Sequence, residues 1–325
     1  MSVYDLRMSL EPRLLRIPGV TGVGNLGDRV RLYVEGTPDI FPKHVNGVRL
    51  EIVVTGKIKP LAMMNVPWFI PQKAMSLERT GRFRPLKGGC SIGHPSVTAG
   101  TLGCAIKLGG VKYGLSNNHV LAAASSAQTP RARIGDPIYQ PGVYDGATEA
   151  DTVGTLHWYQ PLDEKGVNVI DAALFKPATQ DLLSEEILDI GLINGVGVAT
   201  EGMNVQKSGR TTGVTASDVI DVDATVKVDY GVFGLTFEHQ IITNYMANGG
   251  DSGSALLDMN RNLVGLLFAG SSYITVFNHI APVIQAIGGG GNGGEGGGGG
   301  PPGATTPYPF ILPPIIGSLI GGLFG

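Results

Sequence analysis

Short apolar runs that end at glycine fill the chain from Gly88 to Ile287. Glycine adopts the backbone conformations of tight turns and lets neighbouring segments approach closely. Apolar runs of roughly four to eight residues between turn signals are typical of strands rather than helices. This pattern predicts a mainly β region of about 200 residues, and it constrains the fold more than any other feature of the sequence.

The β region is predicted to end in one helix. Ile280, Val283, Ile284 and Ile287 follow one another at the spacing i, i+3, i+4 and i+7, which places them on one face. Gly288 comes directly after this pattern, where a glycine commonly ends a helix. We therefore expect an amphipathic C-terminal helix that packs on the strands.

A different pattern precedes the β region. Leucines at positions 6, 10 and 14 recur every fourth residue and predict a short helix. Alternating apolar residues in VRLYV and VRLEIVV predict two strands, the second directly after the turn signal Asn46-Gly47. Residues 1–60 are therefore expected to form a small α+β domain, and residues 61–87, which show no period, a connector to the domain at 88–287.

The last segment, 288–325, begins with a glycine-rich linker and ends in an apolar tail. From Phe310 to Gly325 the tail is too short for a helix that crosses a bilayer, which needs about 20 residues. We expect it to attach the protein to a membrane surface, to a partner or to another copy of the chain. A disordered apolar end is the alternative.

Charge and cysteine content exclude several classes of protein. The net charge of −3 argues against a nucleic-acid-binding protein, which usually carries a clustered basic excess. Two cysteines, Cys90 and Cys104, cannot form a disulfide scaffold, and whether they are bridged or free stays open at this stage. The N-terminal residues show no uninterrupted apolar run typical of a secretory signal, so we expect a cytoplasmic protein.

Three short strings carry the residue types of nucleophilic catalysis. His119 lies in SNNHVLA, Asp171 in NVIDAALF and Ser252 in NGGDSGSALL. A serine hydroxyl becomes a good nucleophile when an imidazole takes its proton, and a carboxylate orients that imidazole. An acidic residue inside an apolar strand is costly unless it has such a partner. Glycines before the serine allow the N–H groups of Gly250 and Ser252 to point at one developing oxyanion.

Together, SNNHVLA, DAAL and GGDSGS resemble the chymotrypsin-like (trypsin-fold) serine proteases, especially the bacterial type. The resemblance covers roughly residues 88–287 and implies two six-stranded antiparallel β-barrels, with the C-terminal helix after them. It also implies that His119 is the general base, Asp171 the orienting acid and Ser252 the nucleophile. Gly250 and Ser252 would form the oxyanion hole.

The same resemblance suggests where a substrate would bind. LVGLLFAGS, with Phe268, Ala269 and Gly270, resembles the strand that pairs with the substrate backbone. Met246 falls where this family places the base of its specificity pocket. Because an apolar residue stands there instead of an acid, we expect cleavage after a medium-sized apolar residue rather than after lysine or arginine.

The other acidic residues and the histidines have simpler explanations than a role in catalysis or metal binding. Asp145, Asp151 and Asp163 compete with Asp171, but their polar or glycine-rich surroundings favour solvated loop carboxylates. The aspartates at positions 218, 221 and 223 do not have the spacing of a calcium loop. The histidines lack paired-ligand spacing. We therefore expect neither a metal site nor a cofactor.

The predicted function is that of a serine endopeptidase that hydrolyses protein or peptide substrates through an acyl-enzyme. The alternative is a catalytically silent trypsin-fold module used for binding or assembly, and an esterase with the same triad is a third reading. The N-terminal unit is read either as a pro-region-like chaperone or inhibitor, or as a recognition domain. Since the β region opens at GGCSIGH, insertion of a freed amine is not expected to activate the protein.

Overall fold

The computed structural model describes residues 2–27, 29–37, 41, 43–45, 47–61, 77–231 and 233–288. Strands dominate this part of the chain, as the sequence predicts, and confirm the mainly β class. The helices are α1 (Val3–Leu14), α2 (Leu77–Thr80), α3 (Asn118–Leu121) and α4 (Ile280–Gly288).

The strands form four sheets. In chain order they are β1 (Val20–Leu26), β2 (Arg29–Val34), β3 (His44–Val45), β4 (Val48–Val54), β5 (Lys59–Pro60), β6 (Leu86–Gly88), β7 (Ser91–Ile92), β8 (Gly100–Thr101), β9 (Cys104–Leu108), β10 (Val111–Ser116), β11 (Pro137–Tyr139), β12 (Thr152–Tyr159), β13 (Val167–Asn168), β14 (Ala173–Pro177), β15 (Leu183–Ile187), β16 (Gly191–Leu192), β17 (Gly195–Val196), β18 (Asn204–Gly209), β19 (Gly213–Asp229), β20 (Gly234–Asn244), β21 (Ala255–Asp258), β22 (Asn262–Gly270) and β23 (Ile274–His279).

Two of the sheets position the residues singled out in the sequence. The larger has 13 strands and follows the path β13-β20-β23-β22-β21-β18-β19-β1-β2-β4-β3, with β5 and β17 paired to β22 and an additional pairing of β19 with β20. The other has five strands in the order β11-β12-β14-β10-β9. In the described residues the first half of the β region forms this five-stranded sheet, whose end strands β11 and β9 are not paired with each other. The expected pair of six-stranded barrels therefore stays a prediction.

The N-terminal unit has the elements expected of it. The predicted strands are β2 and β4, and the predicted helix is α1, whose residues Leu6, Leu10 and Leu14 are buried. Ser2 and Asp5 form a capping box that satisfies backbone N–H groups at the start of the helix. β2 and β4 run parallel, and β1 lies antiparallel to β2.

This unit is continuous with the β region rather than separated from it. β1 pairs with β19, so that Gly22 lies opposite Val226. The buried guanidinium of Arg7 adds a salt bridge of 2.7 Å to Asp223 and one of 2.9 Å to Glu11. The N-terminal strands therefore extend the same sheet that carries β22, and β5 reaches β22 itself.

The C-terminal helix forms where the sequence predicts it. α4 buries the four residues of the predicted face, Ile280, Val283, Ile284 and Ile287, in an apolar cluster with strands β9, β10, β21 and β22. The helix ends at Gly288. The tail beyond it, and the attachment predicted for it, lie outside the described residues. Among the helices in the described ranges, none has the length and hydropathy to cross a membrane.

Candidate active site

His119 and Asp171 form a fully buried pair. His119 lies in the single turn of α3, directly after β10, and Asp171 lies two residues before β14, which pairs with β10. Nδ1 of His119 is 2.6 Å from Oδ2 of Asp171, and the backbone N–H of His119 donates to Oδ1 at 3.2 Å. Both side chains have no exposed surface. The carboxylate therefore fixes the plane of the ring.

Two residues that sequence reasoning did not find hold Asp171 in place. The hydroxyl of Tyr230 donates to Oδ2 of Asp171 at 2.6 Å, and the amide oxygen of Asn278 accepts from the backbone N–H of Asp171 at 2.9 Å. Burial, and next the charge of Asp171, raise the pKa of Tyr230 well above its ordinary value, so the hydroxyl keeps its proton. Tyr230 reads in the sequence only as one more apolar-face residue of a strand.

The rival aspartates have other partners. Asp145 forms an ion pair with Arg210, and Asp151 forms one with Arg82. Asp163 accepts hydrogen bonds from the side chain of Gln128 and the backbone of Lys165. The expectation that all three are solvated loop carboxylates is wrong for Asp145 and Asp151, whose side chains are only 4% and 3% exposed.

Ser252 lies in the turn between β20 and β21. Its hydroxyl donates to the carbonyl oxygen of Phe268 at 3.2 Å. Among the described residues, Nε2 of His119 is buried and has no hydrogen-bond partner. A Cβ atom on Gly100 would lie 2.5 Å from Cγ2 of Val120, the residue after His119. It would lie 3.0 Å from the carbonyl oxygen of Ser252. The two loops thus meet where glycine leaves room.

A buried ion pair supports the serine loop. Asp251 accepts hydrogen bonds from the backbone of Thr211 (2.8 Å) and Asn248 (2.9 Å) and from the Thr212 hydroxyl (2.6 Å). Nζ of Lys207, which has no exposed surface, lies 3.5 Å from Oδ2 of Asp251. Burial lowers the pKa of Lys207, and the charge of Asp251 opposes this shift. Sequence reasoning did not assign Lys207 to the site.

The N–H group of Gly250 donates to a carbonyl oxygen. Gly250 has φ +99°, a conformation that favours glycine, and its N–H donates to the backbone oxygen of Leu61 at 2.7 Å. The N–H of Leu61 donates in turn to the oxygen of Phe268 at 3.3 Å. The predicted substrate-binding residues Ala269 and Gly270 pair with β5.

The predicted pocket residue Met246 is buried in an apolar cluster that also contains Leu61 and Ala247. Its backbone N–H donates to the hydroxyl of Thr275 at 3.0 Å. The structure therefore brings Met246 together with the residue whose carbonyl oxygen contacts Gly250. An apolar side chain fits these surroundings, and a charged one would be buried without a partner.

Neither cysteine belongs to the site. Cys90 and Cys104 are both free and buried. Burial raises the pKa of each thiol to about 12, so neither is a thiolate at neutral pH. Within the described ranges, no group of three or more histidine, cysteine or acidic side chains has an arrangement that could hold a metal ion.

The solved structures that the chain resembles are bacterial chymotrypsin-like serine proteases. One is a glutamic-acid-specific serine protease, with 20% identity over 62% of this chain and 98% of that chain and a TM-score of 0.46. Protease A of Thermobifida fusca has 20% identity over 62% and 95% of the two chains and a TM-score of 0.46. A chymotrypsin of Cellulomonas bogoriensis has the same identity and coverage and a TM-score of 0.43. No protein-family model and no curated protein sequence matches the chain.

Proposed function

We propose that the protein is a serine endopeptidase in which Ser252 is the nucleophile and His119 the general base. Asp171 orients the imidazole and stabilises its protonated form. The N–H groups of Gly250 and Ser252 bind the oxyanion. The substrate is a protein or peptide chain that pairs with Phe268–Gly270 and places an apolar side chain beside Met246.

The reaction begins when the Ser252 hydroxyl rotates away from the oxygen of Phe268 and donates to Nε2 of His119. His119 takes the proton while the serine oxygen attacks the carbonyl carbon, and Gly250 donates to the oxygen that becomes negative. The imidazole then protonates the leaving amine. Water hydrolyses the acyl-enzyme by the same proton transfers in reverse.

The observation that carries this proposal is the hydrogen bond from the N–H of Gly250 to the carbonyl oxygen of Leu61, at 2.7 Å. The buried His119–Asp171 pair supports it. Distances of 2.7–3.1 Å are those that an oxyanion-hole donor makes. The second ring nitrogen of His119 has no partner in the described ranges, so it is available for the serine. A buried imidazole nitrogen without a partner is costly unless it serves such a role.

A catalytically silent binding module is the second candidate. It is favoured by one observation, the hydrogen bond of the Ser252 hydroxyl to Phe268 rather than to His119. A module that only binds a peptide would need β22 and the apolar pocket, and it would not need an activated serine. Reaction of the serine separates the two candidates.

Covalent labelling by a fluorophosphonate, read by intact mass and peptide mapping, tests the function. Because Leu61 fills the site, we would treat both the wild type and Leu61→Asp, which removes the apolar side chain from the pocket. We expect one adduct, on Ser252, and none in Ser252→Ala or His119→Ala. Ser96→Ala, at an exposed serine, is the matched control and should label like the wild type.

If the protein is a peptidase, Leu61→Asp should hydrolyse Ile-Lys-Pro-Leu-p-nitroanilide. Adding Ser252→Ala to this variant should lower the rate of hydrolysis by several orders of magnitude. Far-UV circular dichroism of Ser252→Ala should match that of the wild type, since alanine fits the same space. If Leu61→Asp folds but is neither labelled nor able to hydrolyse the anilide, the protein is a catalytically silent binding module instead.

A further inference from the structure

The segment Ile58–Leu61 of the protein's own N-terminal unit lies beside Ser252 as an extended peptide. β5 runs antiparallel to the end of β22, with Pro60 opposite Ala269 and Lys59 opposite Gly270. These are residues of the strand from which a substrate backbone is expected to take its hydrogen bonds. The segment therefore fills the place of a substrate.

Hydrogen bonds fix the last residue of this segment on two sides. The N–H of Leu61 donates to the oxygen of Phe268 at 3.3 Å, and its carbonyl oxygen accepts from Gly250 at 2.7 Å. The Ser252 hydroxyl donates to the same oxygen of Phe268, at 3.2 Å. Since one carbonyl oxygen accepts from both, the hydroxyl of Ser252 and the backbone of Leu61 are neighbours.

The side chains at both ends of the segment are anchored. Leu61 is 1% exposed in the cluster of Met246, and its Cδ1 lies 3.5 Å from the position that a Cβ on Gly270 would take. Ile58 is also 1% exposed, and its carbonyl oxygen accepts from the N–H of Asp229 at 2.9 Å. Lys59, between them, is exposed. Pro60 is buried as well, so the segment holds its apolar side chains inside and exposes its lysine, as a bound extended peptide does.

We propose that the protein cleaves its own chain after Leu61, within the same molecule. The inference rests on the proposed function of the same site, and it names the first substrate of that site. It also assigns the substrate class, namely extended chains with leucine or a side chain of similar size and apolarity before the cleaved bond. Residues 1–61 then act as a bound product that blocks the groove.

The reaction balances without any co-reactant other than water. The serine oxygen bonds to the carbonyl carbon of Leu61, and the C–N bond to Ala62 breaks. The serine proton passes through Nε2 of His119 to the nitrogen of Ala62, which leaves as an amine. A water oxygen then bonds to the acyl carbon, Ser252 regains its proton through His119, and Leu61 ends in a carboxylate.

The fragment 1–61 is expected to stay bound after cleavage. β1 remains paired with β19, and Arg7 remains in its buried ion pair with Asp223. Lys207 already pairs with Asp251, so we do not expect the new amine to bind this carboxylate. Cleavage therefore leaves a two-chain complex, and peptide hydrolysis requires the fragment to leave the groove.

The test is the intact mass of the full-length protein, wild type and Ser252→Ala, at purification and during incubation. We expect the wild type to separate under denaturing conditions into residues 1–61 and 62–325 and to remain one complex in gel filtration. Ser252→Ala should stay intact. An affinity-tagged Ser252→Ala chain should also stay intact when wild type is added, because its own groove holds its Leu61. Cleavage of that chain, or a cut elsewhere, would overturn the proposal.

Variants of Leu61 test the assignment of the bond. Leu61→Asp should slow cleavage at least ~100-fold, since the pocket would bury an unpaired carboxylate. Leu61→Met, of similar volume and apolarity, should still be cleaved. Arg49→Ala, an exposed change in the same unit, is the matched control and should be cleaved at the wild-type rate.

Hydrolysis of Ile-Lys-Pro-Leu-p-nitroanilide separates failure of this inference from failure of the proposed function. If Leu61→Asp hydrolyses the anilide while the wild-type bond stays intact, the site is an active peptidase and self-cleavage is refuted. If no chain is cleaved, no variant hydrolyses the anilide and no variant reacts with the fluorophosphonate, both proposals fail. Circular dichroism shows whether Leu61→Asp folds. If it does not, the intact masses of the wild type, Ser252→Ala and Leu61→Met decide whether the chain cleaves itself after Leu61.

Discussion

The hydroxyl of Tyr230 and the ring of His119 contact the same oxygen of Asp171, each at 2.6 Å. The carboxylate has no exposed surface, so these contacts replace the water that an ionised carboxyl group would otherwise bind. Tyr230 is thus a positioning residue, which acts on the imidazole through Asp171. The rings of Tyr230 and His119 also meet edge to face, with centroids 6.0 Å apart.

Tyr230→Phe removes this donor and leaves the ring. A hydrogen bond to a charged group contributes about 1.5–3 kcal/mol, so we expect kcat for the anilide to fall about 10- to 100-fold in the Leu61→Asp background. KM should change little, because the Tyr230 hydroxyl donates to Asp171 and not to the segment Lys59–Leu61. The pH profile of kcat should shift as well, which a merely structural role would not cause.

Tyr273→Phe, at a tyrosine that is 55% exposed, is the matched control for this change. It should leave both kcat and the pH profile as they are. An unchanged profile in Tyr230→Phe, with a lower free energy of unfolding alone, would show that Tyr230 only stabilises the fold.

Lys207→Met removes the buried cation beside Asp251 while keeping a side chain of similar length. Breaking a buried ion pair on one side typically costs 3–5 kcal/mol, because the other charge stays buried without compensation. We expect urea unfolding to show a loss of about that size, together with slower fluorophosphonate labelling of Ser252. Lys176→Met, at an exposed lysine of β14, should unfold like the wild type. Equal stability of the two variants would contradict the ion pair.

Titration of Asp221, at the junction of the N-terminal unit with β19, should make the free energy of unfolding depend on pH. It accepts from the hydroxyl of Tyr33 at 2.7 Å, and burial raises its pKa from 3.8 to about 6, although the hydrogen bonds from Asp223 and Tyr33 oppose the shift. The folded state thus keeps a proton that the unfolded chain loses above about pH 4. The stability from this group is full below that pH and is lost as pH rises through about 6.

Asp221→Asn removes this titration. The difference in free energy of unfolding between wild type and variant should therefore change by about 2 kcal/mol between pH 4 and 7, with the variant gaining relative stability as pH rises. Urea unfolding at each pH measures it. Asp218→Asn, at an exposed position of the same strand, should show no such change. A pH-independent difference for Asp221→Asn would mean that this carboxyl titrates normally.

A chain that ends at Gly288 should fold and react like the full chain. The buried face of α4 ends at Ile287 and is retained in it. We expect unchanged thermal unfolding and an unchanged pattern of self-cleavage. If the tail attaches the protein to membranes, co-pelleting with vesicles of phosphatidylcholine and phosphatidylglycerol should be lost on truncation. An unfolded truncated protein would place the tail in the core.

Several elements follow from local sequence alone. The period of Ile280–Ile287 defines the buried face of α4, and alternation defines β2 and β4, because side-chain direction within one element depends only on spacing along the chain. The strings around His119, Asp171 and Ser252 identify the candidate site by residue type and order. The resemblance to the protease family adds Met246, which lies in the same apolar cluster as Leu61.

Tertiary structure decided which groups meet, since hydrogen bonds between distant segments leave no periodic trace in the sequence. Tyr230 is 59 residues from Asp171, and nothing around it distinguishes it from its strand neighbours. The connector expected from residue 61 onward begins with Leu61, which packs at Met246 because β5 pairs with β22. The sequence determined the chemical groups and the local elements. Only the fold, through pairings between strands far apart in the chain, placed the protein's own Leu61 on Gly250 beside Ser252.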